Sequence, residues 1–147
     1  MRPFLACLLF AASAFAADPF LGSWRLNLAK SKFEGDPAPR ELTITWAETA
    51  KGLRVSGDGV SAEGRAMRYA YEPAYDGKEY PPKGPWNWDT VANTQVDSST
   101  REDTYRKNGK VIRVERRVVS EDGAALTYTI REAAPSRTSV LIFDRVK

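Results

Sequence analysis

Apolar and polar residues alternate along most of the chain from residue 23 onward. Trp24, Leu26 and Leu28 point one way, with Arg25 and Asn27 between them. Leu42, Ile44 and Trp46 alternate with Thr43 and Thr45, and Met67, Tyr69 and Tyr71 alternate with Arg68, Ala70 and Glu72. A period of two gives an extended strand one apolar and one mixed face, as in an antiparallel sheet half buried against a core. No segment sustains a helical period, so helix is expected to be scarce. The pattern predicts strands over 23–29, 41–47, 53–57, 65–75, 90–96, 100–107, 110–120, 124–132 and 139–146. Turn dipeptides punctuate them: Asp58-Gly59, Asp76-Gly77, Asn108-Gly109 and Asp122-Gly123. Short strands at this spacing predict an all-β fold, a single antiparallel up-and-down β-barrel of about eight to ten strands.

Two hairpins allow a register to be written. A two-residue turn at Asn108-Gly109 pairs Lys107 with Lys110, which sets Tyr105 opposite Ile112, Asp103 opposite Val114 and Arg101 opposite Arg116. A three-residue loop at Glu121-Asp122-Gly123 pairs Val118 with Leu126, Arg116 with Tyr128 and Val114 with Ile130. Both put the same, more apolar face inside, and with it Arg116, near Arg101, Asp103 and Tyr128. An unpaired guanidinium inside a barrel is very costly. Two readings follow. Arg116, Arg101 and Tyr128 receive the anionic head of a ligand; or Arg116 pairs internally with Asp103, or reaches water at the rim.

The stretch from Tyr80 to Trp88, YPPKGPWNW, is the least strand-like, because its prolines block sheet pairing. Trp86 and Trp88 either cover a barrel mouth and touch a ligand or anchor the loop on the sheet rim. Tyr69, Tyr71 and Tyr105, on inward-facing strand positions, complete the set of candidate ligand contacts.

Composition narrows the chemistry. The 147 residues suggest one domain. The first stretch reads as an export leader: basic Arg2, apolar residues 4–10, then Ala14-Phe15-Ala16 as a cleavage motif. Residues 1–17 are expected to be removed, leaving 18–147 as the barrel domain in a secreted or periplasmic protein. The apolar run is too short to span a bilayer. Cys7, the only cysteine, lies in the leader, so the mature chain has no disulfide or thiol chemistry, which is ordinary for a bacterial envelope protein. The sequence has no histidine, which removes Ser-His-Asp catalysis and imidazole metal sites. No calcium-loop motif occurs, and neither metal nor cofactor is expected. The net charge is +3, and the lysines and arginines are interleaved with aspartate and glutamate, with no dense basic block for nucleic acid.

The run Phe20-Leu21-Gly22-Ser23-Trp24-Arg25-Leu26-Asn27 resembles the G-x-W opening strand shared by lipocalins and fatty-acid-binding proteins, and the end, Val140 to Val146, is similar to their last strand. The resemblance implies that Arg145 packs over Trp24 and closes the barrel bottom, with cation–π stacking as the physical basis. The opening, with Asp76 to Tyr80 and Arg117 to Gly123, also resembles small secreted bacterial lipocalin-like domains of unknown function. The chain departs from fatty-acid-binding proteins in two places. Leu141-Ile142-Phe143 stands where they carry Arg-x-Tyr, and residues 30–39 are too few for their two helices.

Three classes of function remain. The leading one is a binding module holding a small hydrophobic or anionic amphiphilic ligand in the barrel. The second is an envelope interaction module with a filled barrel. The third, a lipid isomerase or cyclase, has only Asp103, Tyr105 and Tyr128 as internal candidates; no catalytic residue is assigned.

Overall fold

The computed structural model describes residues 16–84 and 86–147. The leader expected over 1–17 therefore lies outside the described residues, save for Ala16 and Ala17, which are exposed. Ten strands follow: β1 Gly22–Leu26, β2 Glu41–Thr49, β3 Gly52–Val60, β4 Ala66–Tyr71, β5 Asp76–Tyr80, β6 Thr90–Gln95, β7 Thr100–Lys107, β8 Lys110–Val119, β9 Ala125–Ala133 and β10 Ser136–Arg145. The only helical element among the described residues is a 3-10 turn at Leu28–Lys30.

The strands form one antiparallel sheet in the order β4-β3-β2-β1-β10-β9-β8-β7-β6-β5. The first strand pairs with the last, Trp24 opposite Arg145 and Leu26 opposite Phe143. The edges are β4 and β5, joined by residues 72–75. The sheet is rolled into a barrel, because side chains from strands far apart in that order meet inside. The Arg101 guanidinium on β7 lies 5.1 Å from the Trp46 ring centroid on β2, and that of Arg117 on β8 lies 6.0 Å from it. The barrel seam therefore runs between β4 and β5.

Burial is graded along the inner faces. On β9, Leu126 and Tyr128 are buried and Ile130 half-buried; on β7, Arg101 and Asp103 are buried and Tyr105 half-buried. On β8, Val119, Arg117 and Glu115 are buried and Arg113 half-buried. The barrel is thus a cup. Its floor is built on Phe20, Trp24, Trp46, Val55, Leu126 and Phe143, all 1 % exposed or less. Its rim carries the β3–β4, β7–β8 and β9–β10 turns and the β5–β6 loop.

The floor is pinned by Arg145. Its guanidinium carbon stands 4.0 Å from the Trp24 ring centroid. Its three nitrogens donate to the carbonyls of Gly123, Leu21 and Pro19 at 2.6, 2.8 and 2.7 Å. The Trp24 indole N–H donates to the Phe20 carbonyl at 2.9 Å. A cation and an indole, both costly to bury unpaired, are satisfied by backbone carbonyls of the segment before β1 and of the β8–β9 loop.

Two expected turns are strand interior. Asp58-Gly59 lies within β3, whose turn comes later, at residues 61–65, with Ser61 N–H donating to the Arg65 carbonyl at 2.8 Å. A Cβ on Gly59 would stand 2.2 Å from the Glu41 carbonyl oxygen, so glycine there permits close approach of β2. Asp76-Gly77 opens β5, and Gly77 (φ +74°) sits where the pairing with β6 is irregular, between Asp76 and Glu79. The single strand expected over 65–75 accordingly ends at Tyr71, and β5 is a strand beyond the nine expected. Glycine-containing dipeptides mark bulges and close approaches as well as turns.

With the Trp24 indole fully enclosed, Trp24→Ala is expected to cost about 3–5 kcal/mol in denaturant melts. A loss well under about 1 kcal/mol would show that the indole does not support the floor.

Candidate functional site

The interior is organised by a register shift of one residue. The Asn108-Gly109 turn has both residues at positive φ (50° and 73°) and pairs Lys107 with Lys110, as a two-residue hairpin should. Arg106 then faces Val111, but Tyr105 faces Arg113, so Ile112 is an inserted bulge residue. The next loop spans residues 121–124 rather than three residues. Asp122 Oδ1 accepts from the Ser120 hydroxyl at 2.6 Å and the Ala124 N–H at 3.0 Å, and Val119 faces Leu126. Both deviations move β8 the same way. Arg117, not Arg116, faces Arg101 and Tyr128. Arg116 lies on the outer face, 41 % exposed, paired with Glu102 at 3.1 Å.

Arg117 is the centre of a buried network. Its Nη1 donates to Asp103 and its Nη2 to Glu115, each at 2.5 Å. Asp103 also accepts from the Asn93 amide at 2.7 Å, and Glu115 reaches Arg113 at 2.9 Å. The Arg117 guanidinium stands 4.8 Å from the Tyr128 ring centroid. Below it, Arg101 is packed among Phe20, Tyr75 and Trp46, at 4.3, 4.6 and 5.1 Å from their ring centroids, and pairs with Asp18. Three interior guanidiniums therefore meet three carboxylates: Arg101, Arg113 and Arg117 against Asp18, Asp103 and Glu115.

Hydrogen bonding is not balanced in the same way. Eight buried side-chain atoms have no partner within the described protein, and every one carries a hydrogen to donate. They include Trp46 Nε1, the hydroxyls of Tyr75 and Tyr128, Arg101 Nε and Nη1, Arg113 Nε and Arg117 Nε. The interior is close to neutral in charge and rich in unanswered donors. Burial raises the pKa of Tyr69 to about 12, with Glu115 adding to the shift. Burial likewise drives Tyr71, Tyr75, Tyr105 and Tyr128 well above the ordinary range.

Tyr69 and Tyr71 on β4 have ring centroids 6.5 Å apart, and the Tyr69 ring lies over Gly57, where a Cβ would meet it at 2.3 Å. At the mouth, Trp88 packs edge-on against Tyr105, 4.9 Å between centroids, and Trp86 stacks on Trp88 at 5.0 Å. The structure thus brings Arg101, Tyr128, Tyr69 and Tyr71 into one interior, places Tyr105 with Trp86 and Trp88 at its mouth, and leaves Arg116 outside. Trp24 and Arg145 meet at the floor.

Two solved structures superpose on nearly the whole barrel. A Schistosoma mansoni fatty acid binding protein in complex with arachidonic acid matches with a TM-score of 0.56 at 14% identity, covering 88% of this chain and 97% of the other. As-p18, an extracellular fatty acid binding protein, matches with a TM-score of 0.53 at 12% identity, over 88% of this chain and 97% of its own. The chain has the calycin fold. No protein-family model matches the sequence, and no curated protein matches it either.

Within this calycin barrel, sequence reasoning missed Arg117, Glu115, Asn93, Asp18 and Arg113. The parity of β8 misled it. Val114 and Val118 share the face of Arg116, so the more apolar face of the strand is the outer one. The only advance signal was the Ser120–Asp122 pair, which suits the longer loop that resets the register.

Arg117→Met leaves Asp103 buried with only the Asn93 amide, and stability should fall by about 3–5 kcal/mol in urea melts. Adding Asp103→Leu should recover much of that loss; no recovery would mean that the pair is not a unit. The phenols set an alkaline limit. Their folded pKa values lie above the ordinary value of about 10, so the unfolded chain releases protons first and stability falls as pH rises past about 10. The contribution is complete below that pH, and for Tyr69 it is lost as pH passes about 12. Phenolate absorbance should therefore rise together with unfolding; a separate earlier rise from five or six tyrosines would contradict the enclosed interior.

Proposed function

We propose that this calycin barrel is an exported binding protein that takes a small, partly apolar amphiphile through its open end. The observation that carries this reading is the mismatch between the two halves of the cup. The lower half is filled, whereas the upper inner positions, among them Met67, Tyr69, Val91, Tyr105 and Ile130, are only half-buried. They form a largely apolar and aromatic wall, interrupted by Arg113, above the buried network of Arg117, Asp103 and Glu115. The fatty-acid-binding proteins that share the fold bear on the class of ligand, and the leader-like first residues support export.

The electrostatics refine the head group. With three guanidiniums already matched by three carboxylates, an incoming carboxylate is a fourth anion. A head that accepts hydrogen bonds without carrying charge, such as an ester, ketone or ether oxygen, answers the donors and leaves the ion pairs intact.

Native mass spectrometry of the protein purified from its own host should show a retained small molecule. In competition titrations with a fluorescent amphiphile, a long-chain methyl ester should bind severalfold more tightly than the corresponding free acid at neutral pH. Tighter binding of the acid would reverse the head-group assignment. Failure of every amphiphile to bind would favour the filled-barrel interaction module.

A further inference from the structure

The loop between β5 and β6 carries aromatic surface that the barrel does not use. Trp88 covers Tyr105 on the inner wall, but Trp86, stacked on its outer side, remains 52 % exposed. The Trp86 indole N–H turns back to the Lys83 carbonyl at 3.3 Å, so the polar edge of the ring is occupied within its own loop. Three lysines lie on this loop and on the hairpin turn it contacts through Asn87. Lys83 belongs to the loop, Lys107 donates to Asn87 Oδ1, and Lys110 faces Lys107 across the hairpin turn. Among the described residues no carboxylate pairs with any of the three. The nearby acids are engaged elsewhere: Asp89 accepts the Asn108 N–H at 2.6 Å, and Glu79 pairs with Arg106 at 2.9 Å. Val111, next to Lys110, is 41 % exposed.

We propose that this corner of the rim docks on a lipid bilayer bearing anionic head groups. An exposed indole among lysines is the pairing that settles at the head-group level of a membrane, the ring at the interface and the ammonium groups on the lipid phosphates. A single exposed ring is far too little apolar surface for a stable protein interface, which needs about 800 Å² per partner. The same rim encircles the open end of the cup, so docking presents the mouth to the bilayer. The proposal does not depend on the ligand reading, because it is tested with vesicles alone.

The test is co-sedimentation of the mature protein with vesicles of phosphatidylcholine, with and without phosphatidylglycerol, followed by tryptophan emission. The protein should pellet with the phosphatidylglycerol vesicles at low salt, shift its emission to the blue and come off at high salt. Lys83→Gln with Lys110→Gln should weaken binding by about fivefold per lysine, and Trp86→Ser should remove the blue shift. Both variants sit on the surface, and circular dichroism verifies that they fold. No pelleting with anionic vesicles, equal pelleting with neutral ones, or indifference to the lysine changes would overturn the proposal. So would binding to heparin without binding to vesicles, which would assign the patch to a soluble polyanion.

Discussion

A guanidinium held inside the barrel decides how the rest of the chain is threaded. Arg117 is 2 % exposed, and its charge is tolerable there only because Asp103 and Glu115 stand on the same inner face of β7 and β8. Sliding β8 by one residue would put Arg116 where Arg117 lies but replace Glu115 by Val114, leaving the interior guanidinium with Asp103 as its one carboxylate on these two strands. The bulge at Ile112 and the long loop at 121–124 both accommodate this requirement. The ion network therefore specifies the register of a strand whose aliphatic residues, Val114 and Val118, would by themselves favour the opposite face.

The same network gives the interior its character. Charge is matched three against three, while buried indole, phenol and guanidinium donors are left without a protein acceptor. The structures that share the fold, at 14% and 12% identity, share the path of the backbone.

The fold was legible because it rests on features that repeat: alternation on β2 and β4, the Asn108-Gly109 turn, and the opening Gly-x-Trp with a basic residue at the far end. Each is a local pattern with a direct geometric meaning. The interior was harder to read, because it depends on parity, and parity is reset by a single inserted residue. Nothing in the identity of Ile112 marks it as a bulge; the residue is apolar and β-branched, as an ordinary strand position would be. The sequence pointed to a buried arginine near Tyr128 and Asp103 and named Arg116, one residue from the one that lies there. Asp18 escaped notice for another reason. It lies before the first strand, where no periodicity exists, and its link to Arg101 is a contact across 83 residues.

The pairing of the first strand with the last has a consequence for the order of assembly. β1 gains its second neighbour only when β10 arrives, and Arg145 binds the carbonyls of Pro19 and Leu21 from 126 and 124 residues away. A chain emerging from the ribosome can form the β2–β3–β4 and β7–β8–β9 meanders early, since each is local, but the ring stays broken until β10 is free. Closure is then a late, all-at-once event with a large loop to gather, the kind of step that makes β-barrels slow to mature. Until it occurs, Trp24 lacks the Arg145 guanidinium that stands over its ring.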